Sequence, residues 1–369
     1  MALESDLTVS AADAPQRTSA PGPAAARRAP VGRGGRRAAK VLASGALAAC
    51  ILALALPRVL GTEWSQIATA LGRLGIVQVA LLTVVWLAGL WAQTPALTAA
   101  MPGLSHRRAL QLNLTGSFVS NLLPLGGAAA TVANWRMARA WGFSTVVFSR
   151  WAMLTNLIDT LLKFVLPGLA LVWLAVAGVE TQSSVSTAAY IGLGLLTGSV
   201  LVVWFVARDD RAVHWLGRVA DRVVTRLRFV RPPREGYAAR AAAFRRDSAD
   251  LVATGWVRML GGKLAYAALQ AVLLWLCLWM VGARVHPAVV AATFAVERIL
   301  TMVALTPGAT GFVELGMAGV LVAFGVEPAT AAAAVLLYRA FIFGAEIPVG
   351  GLWMLAWSLR RRASGLATS

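Results

Sequence analysis

The chain has 369 residues, 58% of them hydrophobic and 14% charged, a balance that excludes an ordinary soluble domain. Its formal net charge of +18 collects in an N-terminal tail, a central loop and the last residues, which fits membrane topology better than nucleic-acid binding. The two cysteines, Cys50 and Cys277, lie far apart inside apolar runs, so no disulfide and no metal site is expected.

Residues 1–38 are rich in Ala, Pro, Gly and Arg without periodicity and are expected to form a disordered cytoplasmic tail. Residues 39–362 read as one membrane domain and 363–369 as a C-terminal tail. Apolar runs predict six full spans, near residues 41–60, 74–94, 150–177, 188–206, 262–281 and 330–355. Between the second and third lies Gly116–Arg139, broken at Asn121-Leu122-Leu123-Pro124-Leu125-Gly126-Gly127. Pro124 has no N–H and its ring clashes one turn back, while Gly126 and Gly127 let the backbone bend. Neither flank reaches the ~20 residues needed to cross a bilayer, so a hairpin that enters and leaves on one side is expected. A second breaker, Thr306-Pro307-Gly308-Ala309-Thr310-Gly311, divides the segment 288–324.

The central loop, 208–261, carries twelve Arg and six acids through Arg258. Within it, residues 214–230 place Trp215, Leu216, Val219, Val223 and Leu227 on one helical face and Arg218, Arg222 and Arg226 on another. That pattern suits a helix lying on an anionic leaflet, and equally one packed on the protein's own loops. Charge asymmetry orients the chain. With both hairpins returning to their own side, the termini, the turns at 106–108 and 136–150 and the large loop are all cytoplasmic. The two hairpins then enter from opposite faces, the arrangement of an inverted repeat, whose sites lie at midplane on the broken helices.

Charges inside the apolar segments are few, and each marks a functional site or a buried pair. Asp159 and Lys163, four apart on one helical face, are expected to pair. Glu297 and Arg298 point about 100° apart, so one of them needs a partner on another helix or in a cavity. Glu314 follows Gly311 by three residues, where a carboxylate is either a helix cap or part of a site. Arg339 and Glu346 share a face. The half-helix N-termini after Gly126-Gly127 and after Gly308–Gly311 would favour an anion, and Arg298 and Arg339 would add charges suited to phosphate. No nucleotide loop, zinc motif or serine elbow is present in the sequence; neither catalysis nor a cofactor is expected.

At the two breakers the sequence resembles the transmembrane region of the lysylphosphatidylglycerol synthase family, flippase-like integral membrane proteins. The resemblance rests on Asn121–Gly127, on Pro307-Gly308-Ala309-Thr310-Gly311-Phe312-Val313-Glu314 and on Tyr338-Arg339. Where the family's early motif continues into an acidic and a basic residue, this chain has Ala128-Ala129-Ala130-Thr131, with Asn134 and Arg136 following. The full-length synthases add a soluble aminoacyl-transfer domain; this chain ends seven residues after Arg362, so that activity is not expected. The resemblance implies an all-α, polytopic membrane helix bundle in a bacterial plasma membrane that translocates or binds an anionic phospholipid or a polyprenyl-phosphate-linked intermediate. The alternative is a non-catalytic membrane partner that docks a glycosyl- or aminoacyl-transferase through the basic loop.

Overall fold

The structure is a computed structural model that describes residues 46–47, 49–123, 126–179, 194, 197–198, 201, 236–302 and 306–366, with the side chains of 236–249 and 361–366 left aside. All regular structure among these residues is helical. A short helix α1, Ile51–Leu60, leads to α2, Trp64–Leu71. Next come α3, Ile76–Ala92, and α4, Thr94–Ala100, which together make one apolar run, Ile76–Ala100. The first broken segment is α5, His106–Leu122, and α6, Gly127–Ala140. The long helices α7, Thr145–Val176, and α8, Gly236–Met280, follow. The second broken segment is α9, Pro287–Leu300, a 3-10 turn at Pro307–Ala309 and α10, Phe312–Ala323. The chain closes with α11, Pro328–Arg339, a π-helical turn Ala340–Ala345 and α12, Glu346–Leu366.

Among the described residues, four helices are long and apolar enough to cross a membrane: Ile76–Ala100, Thr145–Val176, Asp250–Met280 and Pro328–Arg360. They match four of the six expected spans. The span at 41–60 is described only in part, continuously from residue 49, while the span at 188–206, apart from isolated positions, and the amphipathic segment at 214–230 lie outside the described residues. Residues 1–38 lie outside them too. The central loop needs a correction: the chain is already helical from Gly236, so 236–261 extends the fifth span and is not loop. Alanine-rich stretches and residues such as Trp256 carry the helix outward past the apolar window, because Arg and Ala keep high helix propensity once no breaker intervenes.

Helix starts follow from local chemistry. Ser105 Oγ accepts the Arg108 N–H and Ser144 Oγ accepts the Val147 N–H, opening α5 and α7. His286 Nδ1 accepts the Ala288 N–H ahead of Pro287, and the Glu327 carboxylate accepts the Ala329 and Thr330 N–H groups ahead of Pro328; proline suits the first turn because its missing donor would be unpaired there anyway. Apolar side chains such as Ile76, Val84 and Val176 point outward at 82%, 62% and 81% exposure, which is stable only against lipid. The interior is built from small residues. Ala331 to Ala334 are wholly buried, and their size lets α11 approach α8 and α10 closely.

Some contacts recur between two parts of the chain, α3–α7 and α8–α12. The first spans, α3–α4 and α8, pack on each other. α5 packs on its hairpin mate α6 and on α12, the last helix of the other unit. Correspondingly, α9 packs on α10 and on α7.

A polar cavity between the two broken segments

At the first breaker the chain folds back on itself. Arg108, in the first turn of α5, lies 5.2 Å over the Trp141 ring just past α6, so the two ends of this hairpin adjoin. Gly126 and Gly127 do not supply unusual angles here: Gly126 is right-handed, with φ −64°. What Gly126 supplies is space, since a Cβ there would stand 2.6 Å from the Ser120 carbonyl oxygen, whereas one at Gly127 would meet nothing. Pro124 and Leu125 lie outside the described residues.

The second breaker does need glycine dihedrals. Gly308 and Gly311 have φ +59° and +92°, left-handed angles that are costly for side chains. A Cβ on Gly308 would also overlap the Phe343 ring, at 2.0 Å from its Cε2. Glu314 reaches back from the first turn of α10, its Oε2 accepting the Gly311 N–H at 2.6 Å. Its Oε1 accepts from Arg339 Nε at 2.7 Å, and Arg339 Nη2 donates to the Gly308 carbonyl at 2.9 Å. Both side chains of this pair are at least nine-tenths buried. Of the two expectations for Glu314, the structure shows the cap, and Arg339 clamps the turn that Glu314 caps.

Between the breakers lies a cavity of about 560 Å³. It collects Asn121, Gly126, Gly127 and Asn134 from the first hairpin, Asp159 and Lys163 from α7, Glu297, Arg298 and Gly308 from the second segment, and Arg339 and Glu346 from the last span. The other residues singled out from the sequence stand elsewhere. Glu314 lies behind Arg339, Tyr338 is wholly buried beside it, and Pro307 and Gly311 belong to the turn but not to the cavity wall. Arg136 is exposed on α6 and does not reach the cavity; Asn134, two residues earlier, does.

One expected pairing is corrected. Asp159 does not pair with Lys163; its Oδ2 takes Lys263 Nζ of α8 at 2.8 Å. Four-residue spacing brings two side chains to one face but does not exclude a better-placed cation from a neighbouring helix. Lys163 makes no ion pair among the described residues, although it lines the cavity. Glu297 and Arg298, of which one was expected to need a partner on another helix or in a cavity, both line the cavity and also bond to each other at 2.5 Å, the long Arg chain curling back while its guanidinium rests 4.7 Å from the Phe294 ring centre. Glu346 is 4% exposed and forms no ion pair among the described residues. The half-helix termini also differ. The α10 terminus spends its Gly311 N–H on Glu314, whereas α6 begins at the cavity wall with no side-chain cap.

Sequence reasoning missed the face of α8. Lys263, Tyr266 and Gln270 all line the cavity, and their three- and four-residue spacing was a helical-face signal inside an otherwise apolar run. Gln270 Oε1 and Asn134 Oδ1 are buried without a hydrogen-bond partner, so the cavity holds polar atoms that only water or a ligand could satisfy.

These motifs sit in one family pattern. The family model for the lysylphosphatidylglycerol synthase TM region matches residues 41–350. The chain belongs to this family. The family's membrane domain is associated with lipid handling, and all its motif residues described here meet at or directly behind one cavity. Comparison with curated proteins and with solved structures found no match.

Proposed function

We propose that this membrane protein translocates an anionic phospholipid or a polyprenyl-phosphate-linked lipid, the headgroup passing through the polar cavity while its tails stay in the bilayer. The observation that carries this reading is Lys163: a half-buried cation in a cavity between membrane helices, with no acid paired to it among the described residues. A charge held there without a partner is costly unless an anion or water offsets it. The fixed guanidiniums support the same chemistry. Arg339 and Arg298 each spend only part of their five N–H donors on Glu314, Gly308 and Glu297, which leaves oriented donors for phosphate oxygens. The uncapped start of α6 adds partial positive charge to the same wall.

In this reading the two hairpins dip into a bacterial plasma membrane from opposite faces, the first from the cytoplasm, with both termini cytoplasmic. The reciprocal contacts of α5 with α12 and of α9 with α7 and the arginine-rich turns support that arrangement. No chemical step is assigned to the cavity, and movement is passive or driven by an ion gradient.

The test is headgroup-labelled phosphatidylglycerol in reconstituted vesicles, with exchange between leaflets read by an impermeant quencher. Lys163→Gln is expected to slow exchange at least tenfold relative to the wild-type protein. Unchanged exchange in Lys163→Gln would overturn the reading. Loss only on replacing Arg218, Arg222 and Arg226 would favour a docking role for the basic loop.

A further inference from the structure

The two helices that wall one side of the cavity run on to a second hollow. α5 and α12 pack along each other. Ser117 and Glu346 face the cavity, and the helices then close together where a Cβ on Gly350 would stand 2.2 Å from the Leu114 carbonyl oxygen. Beyond that contact the same helices diverge around a groove of about 880 Å³. Arg107 and Arg108 of α5, Arg360, Trp353 and Trp357 of α12, and Trp141 after α6 form its walls. No acidic residue is among the described residues that line it.

Arg107, Arg108 and Arg360 bring three positive charges to one groove, a setting that attracts an anion. Arg108 is held over the Trp141 ring, a contact that keeps its guanidinium beside the groove. Arg and Trp gathered at one end of spanning helices mark the depth of lipid headgroups. The groove also opens toward hydrocarbon: Leu352, in its wall, is 65% exposed, with Leu355 and Leu359 following along α12 at 54% and 55%. A soluble anion would have no use for that apolar flank, whereas acyl chains would cover it.

The geometry points to a second lipid site, in which Arg107, Arg108 and Arg360 bind the phosphodiester headgroup of an anionic phospholipid at the arginine-rich membrane surface, separate from the central cavity. Its occupant stays in one leaflet, so the site stands whether or not the cavity moves lipid.

Native mass spectrometry of the full chain tests it, with phosphatidylglycerol and phosphatidylcholine as probes. The triple variant Arg107→Gln, Arg108→Gln, Arg360→Gln is expected to hold one phosphatidylglycerol fewer than the wild-type protein, with affinity at that site lowered roughly 100-fold, at about 1 kcal/mol per basic residue. Phosphatidylcholine binding should not change. Arg107→Glu guards against misfolding, because Arg107 is exposed and an acid in the first turn of α5 favours the helix; it is expected to weaken the same site about tenfold. Wild-type phosphatidylglycerol stoichiometry and affinity in Arg107→Glu would overturn the proposal. Equal loss of both lipids would reduce the groove to an apolar slot, and displacement of the lipid by inorganic phosphate would make it a soluble-anion site; either result also overturns it.

Discussion

Lys163 and Arg339 each carry a positive charge into the membrane helices, but their surroundings give those charges opposite roles. Arg339 is 7% exposed and bonded to Glu314 and to the Gly308 carbonyl. Removing it leaves a buried carboxylate without its cation, a loss of about 3–5 kcal/mol. Lys163 has no such partner among the described residues, so replacing it removes a desolvated charge and breaks no bond that the structure shows. Arg339→Ala is therefore expected to lower the thermal unfolding temperature in detergent substantially. The double variant Arg339→Met, Glu314→Gln should recover much of that loss, because Gln at 314 still accepts the Gly311 N–H. Lys163→Gln should unfold at or slightly above the wild-type temperature. If Lys163→Gln were as destabilised as Arg339→Ala, Lys163 would be a structural cation and not a cavity charge. At this scale the sequence singled out most of the charges among the membrane helices, but neither Lys263 nor the partners. Glu314 to Arg339 spans twenty-five residues and Asp159 to Lys263 more than a hundred, and neither pairing is a local spacing that a single chain reveals.

At the scale of elements, the breakers were legible because proline and glycine act locally, yet the reason for each glycine was not. Gly308 and Gly311 serve by dihedral angle, Gly126 by close approach, and Gly127 by neither. This separates two adjacent residues of one motif. Gly126→Ala pushes a methyl group against the Ser120 and Leu123 carbonyls, at 2.6 and 2.7 Å, and is expected to destabilise the protein by about 1–3 kcal/mol. Gly127→Ala meets no atom within 4 Å and sits at the first position of α6, where alanine is expected to be neutral or to stabilise by up to about 1 kcal/mol. Denaturation midpoints of the two variants, measured side by side, check this; equal destabilisation would mean that Gly127 also packs against a neighbour. The π-helical turn Ala340–Ala345 had no counterpart in the sequence reading. Its residues are ordinary helix formers apart from Gly344, and the turn is imposed by what flanks it: Arg339 tied to the second breaker and Glu346 at the cavity wall. Such insertions recur at functional sites, and here the insertion keeps both charged side chains on the cavity.

For the whole molecule, the hairpins decide how the charges meet. The early motif could be read as a bend from its proline and glycines alone, whereas the face of α8 that completes the cavity was hidden inside an apolar run with one lysine at its edge. Arg108 lying over Trp141 joins the outer ends of the first hairpin, and α9 packs on α7 as α5 packs on α12. If the hairpins dip from opposite faces, residues in the turns around each must react from a single side of the membrane, and the two sides must differ. Single cysteines at Ser105 and Ser144, both exposed and flanking the first hairpin, are expected to react with an impermeant maleimide only when the cytoplasmic face is open. Cysteines at Arg284 and Glu327, exposed and flanking the second, should react in intact cells. The background replaces Cys50 and Cys277 by alanine, a mild change at Cys277, which is wholly buried. Labelling of Ser105 and Ser144 from opposite faces would mean that α5 and α6 cross the bilayer as a pair. That result would remove the proposed entry of the two hairpins from opposite faces, and with it the reading of a cavity reached from both sides.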